Sequence, residues 1–174
     1  MTEFGQDIRP VRRIVTGENA EGRSVILSDG DTPNWVRPKA GGSAAQVVWA
    51  TGDSAAQGAD PAPAGHPFGF HSPNGTILRI VDFAPDDAQN TDMTIAFLEE
   101  NKVRHDDKAR HFMFHRTESL DYAIVLEGEI YAMMDEGETL MRAGDVLIQR
   151  ATSHSWSNRS NRFCRMAFVL IAEA

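Results

Sequence analysis

Residues 111–158 read HFMFHRTESLDYAIVLEGEIYAMMDEGETLMRAGDVLIQRATSHSWSN, and this stretch decides the fold. Short apolar runs recur in it at nearly even spacing, at 112–115, 122–126, 130–134, 139–141, 146–149 and 153–157, with another at 163–171 just beyond. Turn signals separate them: Glu127-Gly128, Asp135-Glu136-Gly137, Ala143-Gly144-Asp145 and the polar cluster 158–161. Short strands punctuated in this way predict an antiparallel sandwich or barrel. A helical reading fails, because a glycine or a turn cluster interrupts before three turns can form. Gly128 is expected to turn a hairpin through Leu126-Glu127-Gly128-Glu129, and Gly128 and Gly144 to hold turn conformations rather than chemistry.

Upstream, 76–83 (TILRIVDF) is a strand, and 46–50 is a candidate for another. Two short strands, 11–15 and 23–27, flank a loop at 17–22, with Ser28-Asp29-Gly30-Asp31 as a turn after them. Residues 31–43 read as irregular chain. Segment 51–75 is rich in Ala, Gly, Pro, Ser and Asp, and its prolines deny it long ladders, so it is expected to be a lid, a binding loop or a disordered excursion. Residues 85–92 read as an acidic turn, 94–100 as either helical turn or strand, and 101–110 as a charged loop. At 174 residues the chain is most simply one domain, with the N-terminal strands and long loop (1–75) joined to a barrel over 76–174.

Composition narrows the function. A net charge of -8 opposes a phosphate backbone, so nucleic acid is not an expected partner. The single cysteine, Cys164, permits no intrachain disulfide and sits in an apolar strand pattern, where a buried thiol is expected rather than a nucleophile. The N-terminus lacks the apolar core of a signal peptide, and the longest apolar run, 166–172, is too short for a bilayer, so a cytoplasmic protein without a membrane partner is expected. No hydrolase elbow, phosphate loop or dinucleotide fingerprint appears.

Two histidines, His115 and His154, lie on either side of these strands, and Asp121 follows the first. The spacing resembles that of the cupin superfamily. The first cupin motif reads Gly, five residues, His-x-His, three or four residues, Glu, six residues, Gly; here His115-x-Thr117, three residues, Asp121, six residues and Gly128 fall on it. The second reads Gly, five residues, Pro-x-Gly, two residues, His, three residues, Asn; here Gly144 opens it, Gln149 stands where Pro is usual, Ala151 holds the second Gly position, and His154 and Asn158 close it.

The resemblance implies an all-β fold, a double-stranded β-helix or jelly-roll barrel with an N-terminal extension of strands and loops, often dimeric, with an interior pocket. It also implies a metal site built from three histidines and a glutamate. In this chain Thr117 replaces one histidine and Asp121 shortens the carboxylate, which leaves His115, Asp121 and His154 as candidate ligands for a divalent metal (Fe, Mn, Zn or Ni) and as catalytic residues. Two histidines and one carboxylate are the donor set of non-haem iron enzymes, and zinc also accepts it.

If the strand through His115 runs unbroken, His111, Met113, His115 and Thr117 share a face, and Thr152, His154 and Trp156 share another; Thr117, Trp156, Met113 and His111 are then candidate substrate contacts. Trp156 reads equally as core, His111 also as a pocket-rim residue, and His66, His71 and His105 as solvated loop histidines. Arg150, Arg159, Arg162 and Arg165 read as surface charge, with a substrate carboxylate as the alternative for one of them.

Three functions are compatible with this set. One is a metal-dependent lyase or isomerase (decarboxylation or dehydration) acting on a small organic acid or phenolic compound. The others are a non-haem iron dioxygenase and a metal-free barrel that binds a small molecule. The early strands are expected to pair with a second copy in a homodimer.

Overall fold

The computed structural model describes residues 8–36, 42–89 and 110–172, together with 91, 92, 95, 104 and 105. In chain order its strands are β1 (Arg12–Glu18), β2 (Ser24–Asp31), β3 (Trp35–Val36), β4 (Ala44–Ala50), β5 (Thr76–Phe83), β6 (Arg104–His105), β7 (His115–Arg116), β8 (Ser119–Glu127), β9 (Glu129–Met134), β10 (Glu138–Arg142), β11 (Val146–Arg150), β12 (Ser153–Ser157) and β13 (Cys164–Ala172). Every pairing is antiparallel. Six strands make one sheet, in the order β11-β8-β13-β5-β4-β3, and five make the other, β10-β9-β12-β7-β6. The two inner faces supply one core: Ile77, Val125, Phe168 and Leu170 come from the first sheet, and Ile130, Ala132, Met141 and Trp156 from the second. This is the jelly-roll barrel that the resemblance implies, built from the antiparallel strands that the spacing predicts.

Gly128 differs from expectation. β8 pairs with β11 and β13, whereas β9 pairs with β10 and β12, so Gly128 marks a corner between sheets and turns no hairpin. The corner needs glycine on two counts: φ is +79°, and a Cβ there would stand 2.9 Å from the Phe163 carbonyl oxygen.

The N-terminal strands run longer than expected. Asp29 and Gly30 continue β2 opposite Arg13 and Ile14, because Arg12 clasps Asp29 through two hydrogen bonds at 2.7 and 2.6 Å. The turn between β1 and β2 falls within the expected loop, at Asn19, whose Oδ1 accepts the N–H groups of Glu21 and Arg23. Residues 31–43 are not wholly irregular, since β3 pairs with β4. Segment 94–100 lies outside the described residues except for position 95, and 101–110 except for β6 and Arg110.

The outer face of the six-stranded sheet carries a second, smaller core of Val48, Ile80 and Ala167, with Val11, Leu78 and Ile124 against it. The chain entering β1 is fastened there. Val11 N–H donates to Gln46 Oε1, Gln46 Nε2 donates to the Arg9 carbonyl, and Arg165, buried and paired with Asp82 at 2.6 Å, donates to that same carbonyl.

Segment 51–75 is an ordered wall. Its ends meet where Thr51 N–H donates to the Thr76 carbonyl, and Ser72 Oγ ties Ser54 N–H to the Thr51 carbonyl. Asp60 holds Arg13, while Ala62 and Phe68 enter the barrel core. Among the described residues no helix is long and apolar enough to cross a membrane.

Candidate functional site

β7 and β12 bring the two motif histidines together. His115 and His154 are a register pair with ring centroids 4.4 Å apart, and both are buried. His115 Nδ1 lies 2.6 Å from the Met113 carbonyl oxygen and His154 Nδ1 lies 3.0 Å from the Thr152 carbonyl oxygen. A carbonyl only accepts, so each Nδ1 carries the proton and each Nε2 is the basic nitrogen. Burial, and then the neighbouring His115, push the His154 imidazole down to about 3, so it is neutral at ordinary pH. Trp156 serves as core, packed on Phe168 at 5.5 Å, and its ring also stands 5.9 Å from that of His154.

Asp121 projects inward from β8 in the opposite sheet, where Ser119 Oγ donates to its Oδ1 at 2.5 Å and Thr117 Oγ1 donates to its Oδ2 at 3.2 Å. The threonine at the family's second histidine position is therefore a donor to the carboxylate. Burial raises the Asp121 carboxyl to about 6, against the pull of both hydroxyls and of the charges on Arg79 and His71.

Among the described residues, no three of His, Cys, Asp and Glu converge closely enough to hold a metal ion. The histidine pair is assembled, but Asp121 is tied to Ser119 and Thr117.

His111 is placed elsewhere. Residues 111–113 form a turn, closed by Phe114 N–H on the His111 carbonyl, so the alternation expected through this segment starts only at His115. The His111 ring instead joins Ser155 Oγ at 2.6 Å and Asp86 Oδ2 at 3.3 Å, in a network with Ser157 and Asn158. Met113 packs on the core and contributes its carbonyl to His115.

Two residues of the loop wall face the site. The Phe70 ring is 5.3 Å from that of His115, and the half-buried His71 acts on Asp121. His66 is not simply solvated either, since its Nε2 bonds the Ser54 carbonyl. Cys164 is fully buried and its thiol is pushed up to about 12 by that burial, in keeping with a structural role.

Sequence reading missed Arg79. It lies on the inward face of β5 between Ile77 and Val81, 9% exposed, and is electrostatically coupled to Asp121. The available signal was a lone cation inside an apolar strand. None of the C-terminal arginines takes that place: Arg165 is locked to Asp82, Arg159 clasps Glu138 above the Tyr131 ring, and Arg150 and Arg162 are exposed.

No family model matches the chain. Sequence relatives do. A cupin-domain-containing oxidoreductase of Aspergillus ruber is 31% identical over 178 residues, covering 92% of this chain and 72% of that protein. Another, from Hypocrea virens, is 30% identical over 175 residues, covering 94% and 77%. A phomopsin biosynthesis cluster protein of Diaporthe leptostromiformis is 37% identical over 107 residues, 60% of this chain but only 44% of its own length, so the chain spans less than half of that relative. With such identity along nearly its whole length to two cupin-domain proteins, and with both barrel motifs in order around one interior, the chain belongs to the cupin superfamily.

Proposed function

We propose that the barrel is an enzyme that moves a proton on a small organic acid or phenolic compound, in a dehydration or isomerisation, with Asp121 as the proton carrier. The observation that carries this reading is the buried Asp121 carboxyl, gripped by Ser119 and Thr117, which titrates near 6 and so exchanges its proton readily at ordinary pH. Ionised, it removes a proton from carbon beside a carboxyl or carbonyl group; protonated, it returns that proton to the neighbouring carbon or to a departing hydroxyl. Neutral His154 presents a basic nitrogen that accepts a hydrogen bond from a substrate hydroxyl. Relatives named for phomopsin and oryzines biosynthesis clusters support a small-molecule substrate.

The test is solvent exchange. The full chain, incubated in D2O with a panel of small hydroxy and keto acids, is expected to place deuterium next to the carboxyl group of at least one, at a rate that rises with pH to a plateau above about 6. Asp121→Asn is expected to lower that rate by at least about a hundredfold. Equal rates in the two proteins would overturn the assignment.

The relatives' names favour a second reading, an oxidoreductase. It needs a divalent ion on His115 and His154 and a rearranged Asp121, so elemental analysis after growth with Fe, Mn, Zn or Ni separates the two. One ion per chain, lost in His154→Ala together with turnover, would replace the proton-transfer reading.

A further inference from the structure

Among the described residues, two buried polar groups of the six-stranded sheet lack the partners that burial demands. The first is Arg79. The other well-buried arginines are neutralised, Arg13 by Asp60 and Arg165 by Asp82, each at 2.6 Å. Arg79 has no such partner among the described residues. Its Nη2 donates to the Gly69 carbonyl at 2.5 Å, and the guanidinium carbon stands 5.7 Å from the centre of the Phe70 ring. A guanidinium has five N–H donors in a planar fork, and a buried cation without a counter-ion is costly. Asp121 acts on it through space, but that carboxylate's oxygens are engaged by Ser119 and Thr117.

The second is Gln149, 1% exposed, whose buried Oε1 has no hydrogen-bond partner among the described residues. Its amide orientation is fixed, because Nε2 donates to the Thr152 carbonyl at 2.9 Å and also contacts Thr152 Oγ1. Flipping the amide would set two acceptors against each other. Gln149 also lines a cavity of about 240 Å³ with Met134, Glu138, Leu147 and Thr152, which Arg79 and Asp121 do not line.

Register relates the two groups. Gln149 on β11 pairs with Asp121 on β8, and Arg79 on β5 pairs with Phe168, which in turn pairs with Ala123 on β8. Asp121 and Ala123 are successive inward positions of β8, so Gln149 stands beside Asp121 on the adjacent strand, while Arg79 stands two strands away on the other side, one inward position along and across Phe168.

We infer that the barrel receives a small carboxylic acid that also carries a hydroxyl or amide N–H, its carboxylate on Arg79 and its donor on Gln149. A carboxylate meets the guanidinium in a bidentate pair, which gives strength as well as orientation. The donor satisfies Oε1. The atoms between the two anchors then lie over Asp121, which is how this assignment rests on the proton-transfer reading and narrows its substrate class.

The experiment is calorimetric titration of the full chain with 3-hydroxybutanoate and 4-hydroxybenzoate, their methyl esters, and butanoate and benzoate. At least one hydroxy acid is expected to bind, its ester at least about tenfold more weakly, and its deoxy analogue also about tenfold more weakly. Arg79→Gln is expected to abolish the preference for acid over ester. Gln149→Leu is expected to abolish the preference for the hydroxyl while keeping the preference for the acid.

The acid and ester comparison on the unmodified chain needs no variant, so an Arg79 variant that fails to fold leaves the test intact. Esters binding as well as acids, no hydroxy acid binding, or preferences unchanged in folded variants would each overturn the inference. Binding that follows Arg79 and Gln149 without any deuterium exchange would uphold these anchors and sink the proton-transfer reading. Exchange on substrates lacking a carboxylate would do the reverse.

Discussion

Replacing Asp121 by asparagine changes the pH dependence of stability by an amount the structure sets. The carboxyl titrates at about 6 in the folded chain, against 3.8 for an ordinary aspartate, because burial outweighs its two hydroxyl donors. Its folded-state pKa is raised, so its contribution to stability is complete below 3.8 and is lost as the pH rises through 6. About two units at ~1.4 kcal/mol each make that loss about 3 kcal/mol. Asparagine keeps the shape, Ser119 and Thr117 can rotate their hydroxyls to meet it, and it does not ionise.

The assay is urea unfolding of both proteins at about pH 4 and about pH 8, followed by fluorescence. The variant is expected to gain about 2–3 kcal/mol on the wild type between those two conditions, whatever its offset at the lower one. A gap that stays constant between them would show that Asp121 ionises as a solvated carboxylate does, and would refute the reasoning.

Three other outcomes follow from the same residues. His154 titrates near 3 instead of 6.5, a lowered value, so its contribution is present above 6.5 and is lost as the pH falls toward 3; His154→Leu is expected to flatten that acid limb, by at most ~5 kcal/mol, in acid unfolding read by tryptophan fluorescence, and an unchanged limb would contradict the assignment. Ala151, at the motif's glycine position, has a φ of 50°, which disfavours a Cβ, so Ala151→Gly is expected to stabilise the fold by about 1 kcal/mol in thermal unfolding, and a loss of stability would argue against strain there. The β1–β2 ribbon pairs with no other sheet among the described residues and exposes Ile14, Ile26 and Leu27, while the outer face of β8 and β11 exposes Tyr122, Leu126, Val146 and Ile148; light scattering is expected to show a homodimer that Ile148→Asp dissociates, and a wild-type monomer at micromolar concentration would end that expectation.

Much of the barrel was legible because its signals are local. β5 and β12 have the bounds that alternation and turn residues suggest, and β13 differs by one residue at each end. The corner at Gly128 was not legible, since a glycine between two apolar runs looks the same whether the chain returns on its own sheet or crosses to the other. Asp29 and Gly30 have turn composition, but pairing with β1 overrides it. At the site, motif spacing located the pairing of His115 and His154. It could not foresee that Ser119 and Thr117 engage Asp121, nor that His111 is turned toward Asp86, because both depend on side-chain contacts and a local turn. Arg79 and the loop residues Phe70 and His71 were missed for a related reason: β5 is buried on both faces, which hides the sidedness of its one arginine, and the wall formed by 51–75 rests on contacts distant in sequence.

The central claim is that a carboxyl inside this barrel holds or releases a proton near neutral pH. Carbon-13 NMR titration of the aspartate carboxyls, with Asp121→Asn to assign the resonance, measures it directly. The account expects a midpoint at about 6 for Asp121; a midpoint at or below 3.8 would contradict it.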